Sequence, residues 1–324
     1  MKAWIRCFFV MVAEVTVLSL GLSQAGAQTT GAPQDGDALL KAGKLVEACE
    51  AFEAVLTRDP GNVAAQDGEV AASERLAVNE RAAGHRDDAL KALLQAQEYV
   101  PDDKKLLYDL GILEDEMRLF VDADRTLTHL ESLGALGSLE PETLYAMARV
   151  KLDVGQLGAA EEKMVAYLKL RPQDASAHYG LGRVYRQGLQ FDKACAEFER
   201  SIELQPRQTE GYYELGDAEL AQGKYAEAMV NLTRTLERNS KHGGALTDEG
   251  IVYFKQKQYE KAITTLQQAI AAAPEYQPSH YYLGLTLARL GRAEDSKREL
   301  DIATQMAERD HKLAAGLRLQ GQTP

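Results

Sequence analysis

The sequence is poor in the residues that break helices, form disulfide frameworks and build aromatic cores. Nine prolines, three cysteines and one tryptophan occur in 324 residues, and aromatic residues make up 7%. Few prolines favour uninterrupted helices, because proline removes a backbone donor and clashes with the preceding turn. Three cysteines are too few to frame a disulfide-rich miniprotein. A hydrophobic share of 45% with 27% charged residues excludes general disorder.

Sequence motifs of the common enzyme classes are also missing. The chain has no G-x-x-x-x-G-K-[ST] phosphate loop, no G-x-G-x-x-G after a strand, no H-E-x-x-H, no C-x-x-C and no G-x-S-x-G. We therefore predict no catalytic residue, no metal ligand, no cofactor and no enzymatic activity. The net charge of −12 repels phosphate backbones, which argues against nucleic acid as a partner.

The N-terminus has the pattern of an export signal. Lys2 and Arg6 precede an apolar stretch from Cys7 to Leu22, and the small residues 25–27 follow. We predict a signal peptide over residues 1–27, cleaved after Ala27, and a flexible leader over 28–34. The mature chain would be periplasmic or secreted, without membrane insertion. A membrane anchor and a cytosolic chain are the alternatives, since Glu14 interrupts the apolar stretch.

The few prolines recur at a fixed interval, which indicates an internal repeat. Pro172 and Pro206 are 34 residues apart, and Pro274 follows Pro206 after 68. A 34-residue frame with proline at its thirty-second place aligns 175–208 with 209–242 without a gap. It divides residues 35–310 and the end of the leader into eight units: about 29–62, 63–103, 104–140, 141–174, 175–208, 209–242, 243–276 and 277–310.

Small and large residues alternate at fixed places of the frame. The eighth place is small in six units, at Gly111, Ala148, Gly182, Gly216, Gly250 and Gly284. The twentieth place is small and the twenty-fourth is large, as in the pair Ala194 and Phe198. Glycine stands at the fifteenth place in five units, where it suits the end of a first helix: Gly43, Gly84, Gly155, Gly223 and Gly291. Each unit is therefore predicted to form two antiparallel helices.

These residues resemble a known family. The set Leu181, Gly182, Tyr185, Ala194, Phe198 and Pro206 is similar to the tetratricopeptide repeat pattern. The resemblance covers about residues 29–310 and implies an all-α fold, a right-handed α-solenoid of about eight helix-turn-helix units. The seven extra residues in unit 63–103 predict a longer first helix over 63–83, and the insert at 134–140 predicts a hinge loop. Residues 311–324 are predicted to be a capping helix and tail.

Three residue types with possible chemistry have simpler explanations. His178 and His280 share the fourth place, so we expect half-buried packing residues rather than metal ligands. Cys49 and Cys195 share the twenty-first place four units apart, too far for an intramolecular disulfide. We expect both to be buried thiols. Asn231-Leu232-Thr233 is formally a glycosylation sequon, but it lies inside a predicted helix.

The resemblance implies that first helices line a concave groove and face it with their second, fifth, ninth, twelfth and thirteenth places. Five of six fifth places carry tyrosine: Tyr108, Tyr145, Tyr179, Tyr213 and Tyr281. Tyrosine rings offer stacking faces and hydroxyls to a peptide at low entropic cost. The alternative, left open by the sequence, is that they pack against the neighbouring unit.

Charged and apolar residues occupy different parts of the surface formed by these groove-facing places. Arg149, Arg183 and Arg186 form a basic centre, Asp217 follows, and Phe254 belongs to an apolar stretch with Ile251 and Leu285. Arginines bind carboxylates in a bidentate manner, so a peptide with acidic residues is one hypothesis. Ion pairs between adjacent helices are the alternative.

We therefore predict a non-catalytic scaffold for a protein or peptide ligand in the cell envelope or secreted space. The alternative is a structural or self-associating assembly module. The sequence leaves the oligomeric state open.

Overall fold

The computed structural model describes residues 33–134 and 140–320. The predicted signal peptide and most of the predicted hinge loop lie outside this part of the chain. The described residues form sixteen helices and no strand. The first helices of the repeats are α1 Pro33–Lys41, α3 Val63–Ala83, α5 Lys104–Glu116, α7 Pro141–Asp153, α9 Ala175–Gln187, α11 Thr209–Ala221, α13 Gly243–Lys255 and α15 Gln277–Arg289.

The second helices alternate with the first along the chain. They are α2 Leu45–Leu56, α4 Arg86–Tyr99, α6 Phe120–Ser132, α8 Leu157–Leu170, α10 Phe191–Leu204, α12 Tyr225–Arg238, α14 Tyr259–Ala272 and α16 Ala293–Gln320. Each helix packs mainly against its neighbours in sequence. This arrangement confirms the predicted all-α solenoid of about eight helix pairs.

Side chains cap the starts of some of the first helices. Asp103 accepts hydrogen bonds from the backbone N–H groups of Lys105 and Leu106, and Asp174 accepts from those of Ser176 and Ala177. Such caps satisfy backbone donors that have no partner within the helix.

Helix ends follow from a left-handed residue at the fifteenth place of every unit. The five glycines there have φ between 75° and 86°, as a tight helix–helix turn requires. Arg118, Leu189 and Lys257 hold the same conformation without being glycine, with φ of 62°, 56° and 61°. The turn is therefore set by the packing of the repeat, even where the residue disfavours it.

The core is built from the small and large places of the frame. A Cβ on Gly182 would lie 2.5 Å from the Phe198 ring, and one on Gly111 would lie 2.6 Å from Leu127. Gly36 approaches Phe52 in the same way in the first unit. The close crossing of the two helices in these units therefore depends on the missing side chain.

Three helices, α3, α1 and α16, depart from the regular repeat in their length or bounds. Helix α3 spans 21 residues, against 13 in the first helices of units 104–140 to 277–310, so the seven extra residues do lengthen it. Helix α1 begins at Pro33, inside the predicted leader. Residues 311–320 continue α16 without a break instead of forming a separate capping helix. No residue interrupts that stretch, because it lacks proline and its one glycine is tolerated.

Candidate peptide-binding groove

The first helices form the inner face of the array. Each first helix contacts the next one, from α1 with α3 through to α13 with α15. Among the second helices only α2 and α4 approach each other to a similar extent. The stack therefore curves toward its first helices, and the surface that they line is called the groove below. All ten candidate site residues lie on first helices.

Three groove tyrosines pack within the array. The Tyr145 ring centroid is 5.2 Å from that of Tyr167, and the Tyr179 centroid is 5.9 Å from that of Phe198. The Tyr213 ring centroid lies 4.5 Å from that of His242. Burial raises the pKa of Tyr179 to about 12. These contacts favour the packing role that the sequence left open.

The tyrosines at the two ends of the ladder differ in exposure. Tyr108 is half-buried, and burial raises its pKa above the ordinary value of 10.0. Tyr281 is 42% exposed and stands edge-on to Tyr282 at 5.4 Å between ring centroids. The fifth place between them carries Thr247, which is buried and shares a 2.7 Å hydrogen bond with Ser279. The ladder is thus interrupted before Tyr281.

Two of the three groove arginines are held by carboxylates of adjacent repeats. The Arg149 guanidinium is 2.9 Å from Asp115 of the preceding repeat. Arg186 binds Glu214 at 2.8 Å and Asp217 at 2.6 Å, both on the following repeat. Arg183 is exposed and forms no ion pair with a described residue. The basic centre predicted from sequence is therefore reduced to one available cation.

The apolar stretch of the groove lies on α13 and α15. Ile251 is buried, whereas Phe254 and Leu285 are half-buried. The Phe254 ring is 5.8 Å from Tyr282 and 6.0 Å from Tyr259, between centroids. Phe254, Leu285 and Tyr281 thus leave apolar surface open to the groove.

The buried carboxyl group of Asp248, next to Tyr213, was not predicted from the sequence. Asp248 is 4% exposed, and its Oδ2 has no hydrogen-bond partner among the described residues. Burial, aided by nearby Asp217, raises its pKa well above the ordinary value. The available signal was the sixth place of the frame, which carries an acid in three units, at Asp109, Glu214 and Asp248.

The histidines, thiols and sequon take the structural roles expected. His178 lies 2.6 Å from Glu197 and 3.2 Å from the carbonyl of Pro172, and His280 repeats these contacts with Glu299 and Pro274. Cys49 and Cys195 are free and buried. The Asn231 amide is buried and donates to Glu219 at 2.8 Å, so it is not presented to solvent.

Metal-ligating side chains converge at one point of the described chain, away from the groove. Glu80, His85 and Asp88 place one ligand atom each within 4.8 Å of one another at the turn between α3 and α4. His85 and Asp88 are exposed, and exposed acidic groups commonly occur without an ion. None of the described helices combines the length and hydropathy of a membrane span.

Family models place the repeat pattern in the middle of the chain. One model described as tetratricopeptide repeat matches residues 219–281, and another with the same description matches 145–208 and 185–240. No curated protein matches the chain significantly.

Solved structures resemble the chain at low sequence identity. A tetratricopeptide repeat protein from Parabacteroides merdae is 18% identical over 78% of this chain and 96% of its own, with a TM-score of 0.51. The Cut9–Hcn1 hetero-tetramer of APC/C matches at 15% identity over 81% of this chain and 50% of its own, with a TM-score of 0.56. MamA from Desulfovibrio magneticus RS-1 is 20% identical over 54% of this chain and 97% of its own, with a TM-score of 0.49.

The family matches agree with the architecture. The matched residues 145–281 hold four of the eight helix pairs almost completely, and the same pairing continues on both sides. The chain is therefore a tetratricopeptide repeat protein.

Proposed function

We propose that the chain is a non-catalytic scaffold whose groove binds a peptide segment of another protein. The observation that carries this proposal is Arg183, an exposed cation without an ion-pair partner among the described residues, in a groove that also presents apolar surface. An unpaired arginine offers five N–H donors in a planar fork that matches a carboxylate. Its neighbours Tyr145 and Tyr179 are held in place by packing. The two rings that flank Arg183 therefore need no rearrangement to contact a peptide.

The distance between Arg183 and the apolar residues of the groove sets the length of a peptide that contacts both. Arg183 lies on α9, whereas Phe254 and Tyr281 lie on α13 and α15, two to three repeats away. At about 10 Å per helix layer this corresponds to roughly 20–30 Å. An extended peptide rises about 3.3 Å per residue, so roughly six to nine residues would join the two features. We propose a ligand with an acidic residue at one end of such a segment and apolar residues at the other.

We further propose that the chain acts outside the cytoplasm, in the periplasm or secreted space. The pattern of residues 1–27 supports this location. Fractionation of cells that express the full chain tests it. Mature protein beginning at Gln28 in the envelope or medium is the expected result, and full-length protein in the cytosol would disprove export.

Selection from a library of random twelve-residue peptides tests the groove. We expect enriched peptides to carry an acidic residue six to nine positions from an apolar pair. Arg183→Ala should weaken their binding about tenfold, as the loss of one charge-assisted contact implies. Tyr281→Ala should weaken the peptides that carry the apolar pair.

The matched control is Arg200→Ala, on the outer helix α10, where Arg200 pairs with Glu203 at 2.9 Å. It should leave binding unchanged. If Arg183→Ala and Arg200→Ala bind the selected peptides as the wild type does, the groove is not the binding site.

A further inference from the structure

The outer face of unit 209–242 lacks a contact that both neighbouring units form. In each neighbour, the lysine at the nineteenth place lies over the tyrosine ring of the eleventh place. These pairs are Lys193 with Tyr185, at 4.9 Å between Nζ and the ring centroid, and Lys261 with Tyr253, at 5.4 Å. Unit 209–242 carries Glu219 and Glu227 at the same two places. Two carboxyl groups thus replace a cation–π pair.

The start of α12 does not require an acid at the nineteenth place. Glu227 lies in the first turn of α12, where the helix dipole favours a negative charge. Helices α10 and α14 also carry an acid in their first turn, but one place earlier, at Asp192 and Glu260. Both helices tolerate lysine at the place that follows. The exchange of lysine for Glu227 is therefore not explained by the helix start.

The two glutamates line an open cleft between α10 and α12. The cleft has a volume of about 420 Å³, and residues of α11 form its floor. Ile202, Leu215 and Val230 give it apolar surface. Its charged lining consists of Glu199, Glu203, Glu219, Glu227 and Arg234. Glu199, Glu203 and Glu227 are exposed, so a ligand from solvent can reach their carboxylates.

The exposed acids of the cleft are not all neutralised by the chain itself. Glu203 pairs with Arg200 at 2.9 Å, whereas Glu199 and Glu227 form no ion pair with a described residue. Exposed carboxyl groups carry a negative charge at neutral pH. The cleft therefore favours a cation over an anion.

The cations nearest to these acids have other contacts. The Arg234 guanidinium lies over the Tyr212 ring, 5.5 Å from its centroid, and forms no ion pair with a described residue. Lys224, which precedes α12, lies 3.8 Å from Asp192 on α10. The carboxylates of the cleft are thus available to a cation from outside the chain.

Glu219 lies at the inner end of the cleft. It is 8% exposed, and its Oε2 accepts a 2.8 Å hydrogen bond from the Asn231 amide. Its Oε1 accepts no hydrogen bond from a described residue and is not fully enclosed. Burial raises the pKa of Glu219, and the Glu227 and Glu199 carboxylates raise it further, while Asn231 and Lys224 lower it. The charges of acids on α10 and α12 thus act on the same point of α11.

We propose that this cleft binds an arginine side chain of a partner protein, which supplies the cation that lysine supplies in the neighbouring units. A guanidinium presents five N–H donors in one plane, so it can donate to Glu199 on α10 and Glu227 on α12 at once. A lysine ammonium is a more strongly hydrated point charge and suits two acceptors on different helices less well. The methylene groups of the arginine contact the apolar surface of the cleft. The partner thereby contacts the outer face of the array, opposite the groove.

Titration of the intact chain with Nα-acetyl-arginine methylamide, followed by ligand-observed NMR, tests the proposal. We expect saturable binding, with the lysine analogue weaker by about threefold or more and the uncharged citrulline analogue weaker by about tenfold. Glu227→Gln should weaken the arginine probe by about three- to tenfold, as the loss of one charge-assisted contact implies. Because Glu227 is exposed, this variant should keep the melting temperature of the wild type.

A triple variant gives unit 209–242 the residues of unit 243–276. Glu219→Tyr, Glu227→Lys and Asn231→Thr reproduce the places of Tyr253, Lys261 and Thr265. The new lysine–tyrosine pair should fill the cleft and abolish saturable binding of the arginine probe. The melting temperature of the unliganded chain should not fall, because the following unit packs with the same residues.

Glu237→Gln is the matched control for charge. Glu237 is an exposed glutamate on α12 that does not line the cleft, so its replacement removes the same charge and should leave binding unchanged. Equal losses in Glu227→Gln and Glu237→Gln, or equal binding of the arginine probe to the wild type and Glu227→Gln, would overturn the proposal. Equal binding of the arginine and citrulline probes would do the same, and equal binding of the arginine and lysine probes would overturn the assignment to a guanidinium. Arg183→Ala should leave the arginine probe unaffected, so failure of this site is distinguishable from failure of the groove.

Discussion

Arg186 on α9 binds Asp217 on α11 with 2.6 Å between the guanidinium Nη1 and the carboxylate Oδ2, so this groove arginine joins two repeats. The same guanidinium contacts Glu214, whose side chain is only 9% exposed. Arg183, one turn earlier on the same helix, has no such partner among the described residues. Two arginines that look alike in the sequence thus have different roles.

The first prediction separates these roles by stability. Arg186→Ala leaves the buried Glu214 carboxylate without its cation, so we expect a loss of about 1–3 kcal/mol in the free energy of unfolding. Arg183→Ala is the matched control and should change it by less than about 0.5 kcal/mol. Urea unfolding followed by circular dichroism measures both. Equal losses in the two variants would contradict the assigned roles.

The repeat phase could be predicted from the sequence, whereas side-chain partners across repeats could not. Proline spacing and small residues at the eighth place indicate two helices per unit, because both reflect backbone requirements that recur in every copy. The partners of Arg149 and Arg186 depend on the distance between helices of different units, which no local pattern encodes. The burial of Glu69 and Asp248 was missed for the same reason.

The fifteenth place illustrates this limit within a single turn. Gly155 and Gly223 indicate a left-handed backbone conformation at this place, because glycine favours it. Arg118, Leu189 and Lys257 adopt the same conformation, although their residue types do not indicate it. In these three units the packing of both helices determines the turn, and the side chain accepts an unfavourable backbone conformation. The position could be inferred only by alignment with the glycine-containing units.

The second prediction follows from this strain. Leu189 is 73% exposed with a φ of 56°, so its side chain contributes little packing to offset the conformation. Leu189→Gly should stabilise the fold by about 0.5–1 kcal/mol, since glycine adopts this region without steric cost. Thermal unfolding measures the change.

The reverse substitution provides the control. Gly155 has a φ of 79°, and a Cβ there would meet nothing within 4 Å. Gly155→Ala therefore tests the backbone alone and should destabilise by about 1 kcal/mol. A destabilising Leu189→Gly would show that this turn is not strained.

The third prediction concerns the close helix crossing at Gly182 and Phe198. A Cβ at Gly182 would lie 2.5 Å from the ring, so Gly182→Ala should cost about 1–3 kcal/mol through overpacking. The preceding unit pairs Ala148 with Met164 in the same core cluster. We therefore expect the double variant Gly182→Ala with Phe198→Met to lose less than the sum of the two single variants.

Gly158→Ala is the control for this crossing. Gly158 lies within α8, and an added Cβ would meet nothing within 4 Å. Alanine has the higher helix propensity, and because Gly158 is the second residue of α8 this variant should gain less than about 1 kcal/mol. Additive losses in the double-variant cycle would mean that the small and large places do not depend on each other.

The fourth prediction is a stability that falls as the pH rises from about 5 to 8. Burial raises the pKa of Glu69 from 4.5 to about 8, and that of Glu114 from 4.5 to about 7. In this window the unfolded chain has released both protons while the folded chain still binds them, so the folded state loses stability with increasing pH. The stabilisation from each glutamate is fully present below the pKa that the group has in the unfolded chain. It is lost as the pH rises through the pKa that the group has in the folded chain.

Replacing Glu69 by leucine measures how much its carboxyl group contributes to the fall of stability with pH. Glu69→Leu has no proton to exchange, so the loss of unfolding free energy between pH 5 and pH 8 should shrink by on the order of a few kcal/mol. Glu114→Gln should reduce the loss by a smaller amount, because the pKa of Glu114 is raised less and the Thr126 hydroxyl counteracts the effect of burial. Denaturant unfolding at half-unit steps of pH measures each slope. If the curve of Glu69→Leu ran parallel to that of the wild type, Glu69 would be ionised in the folded chain, and its carboxylate would already have a cationic partner.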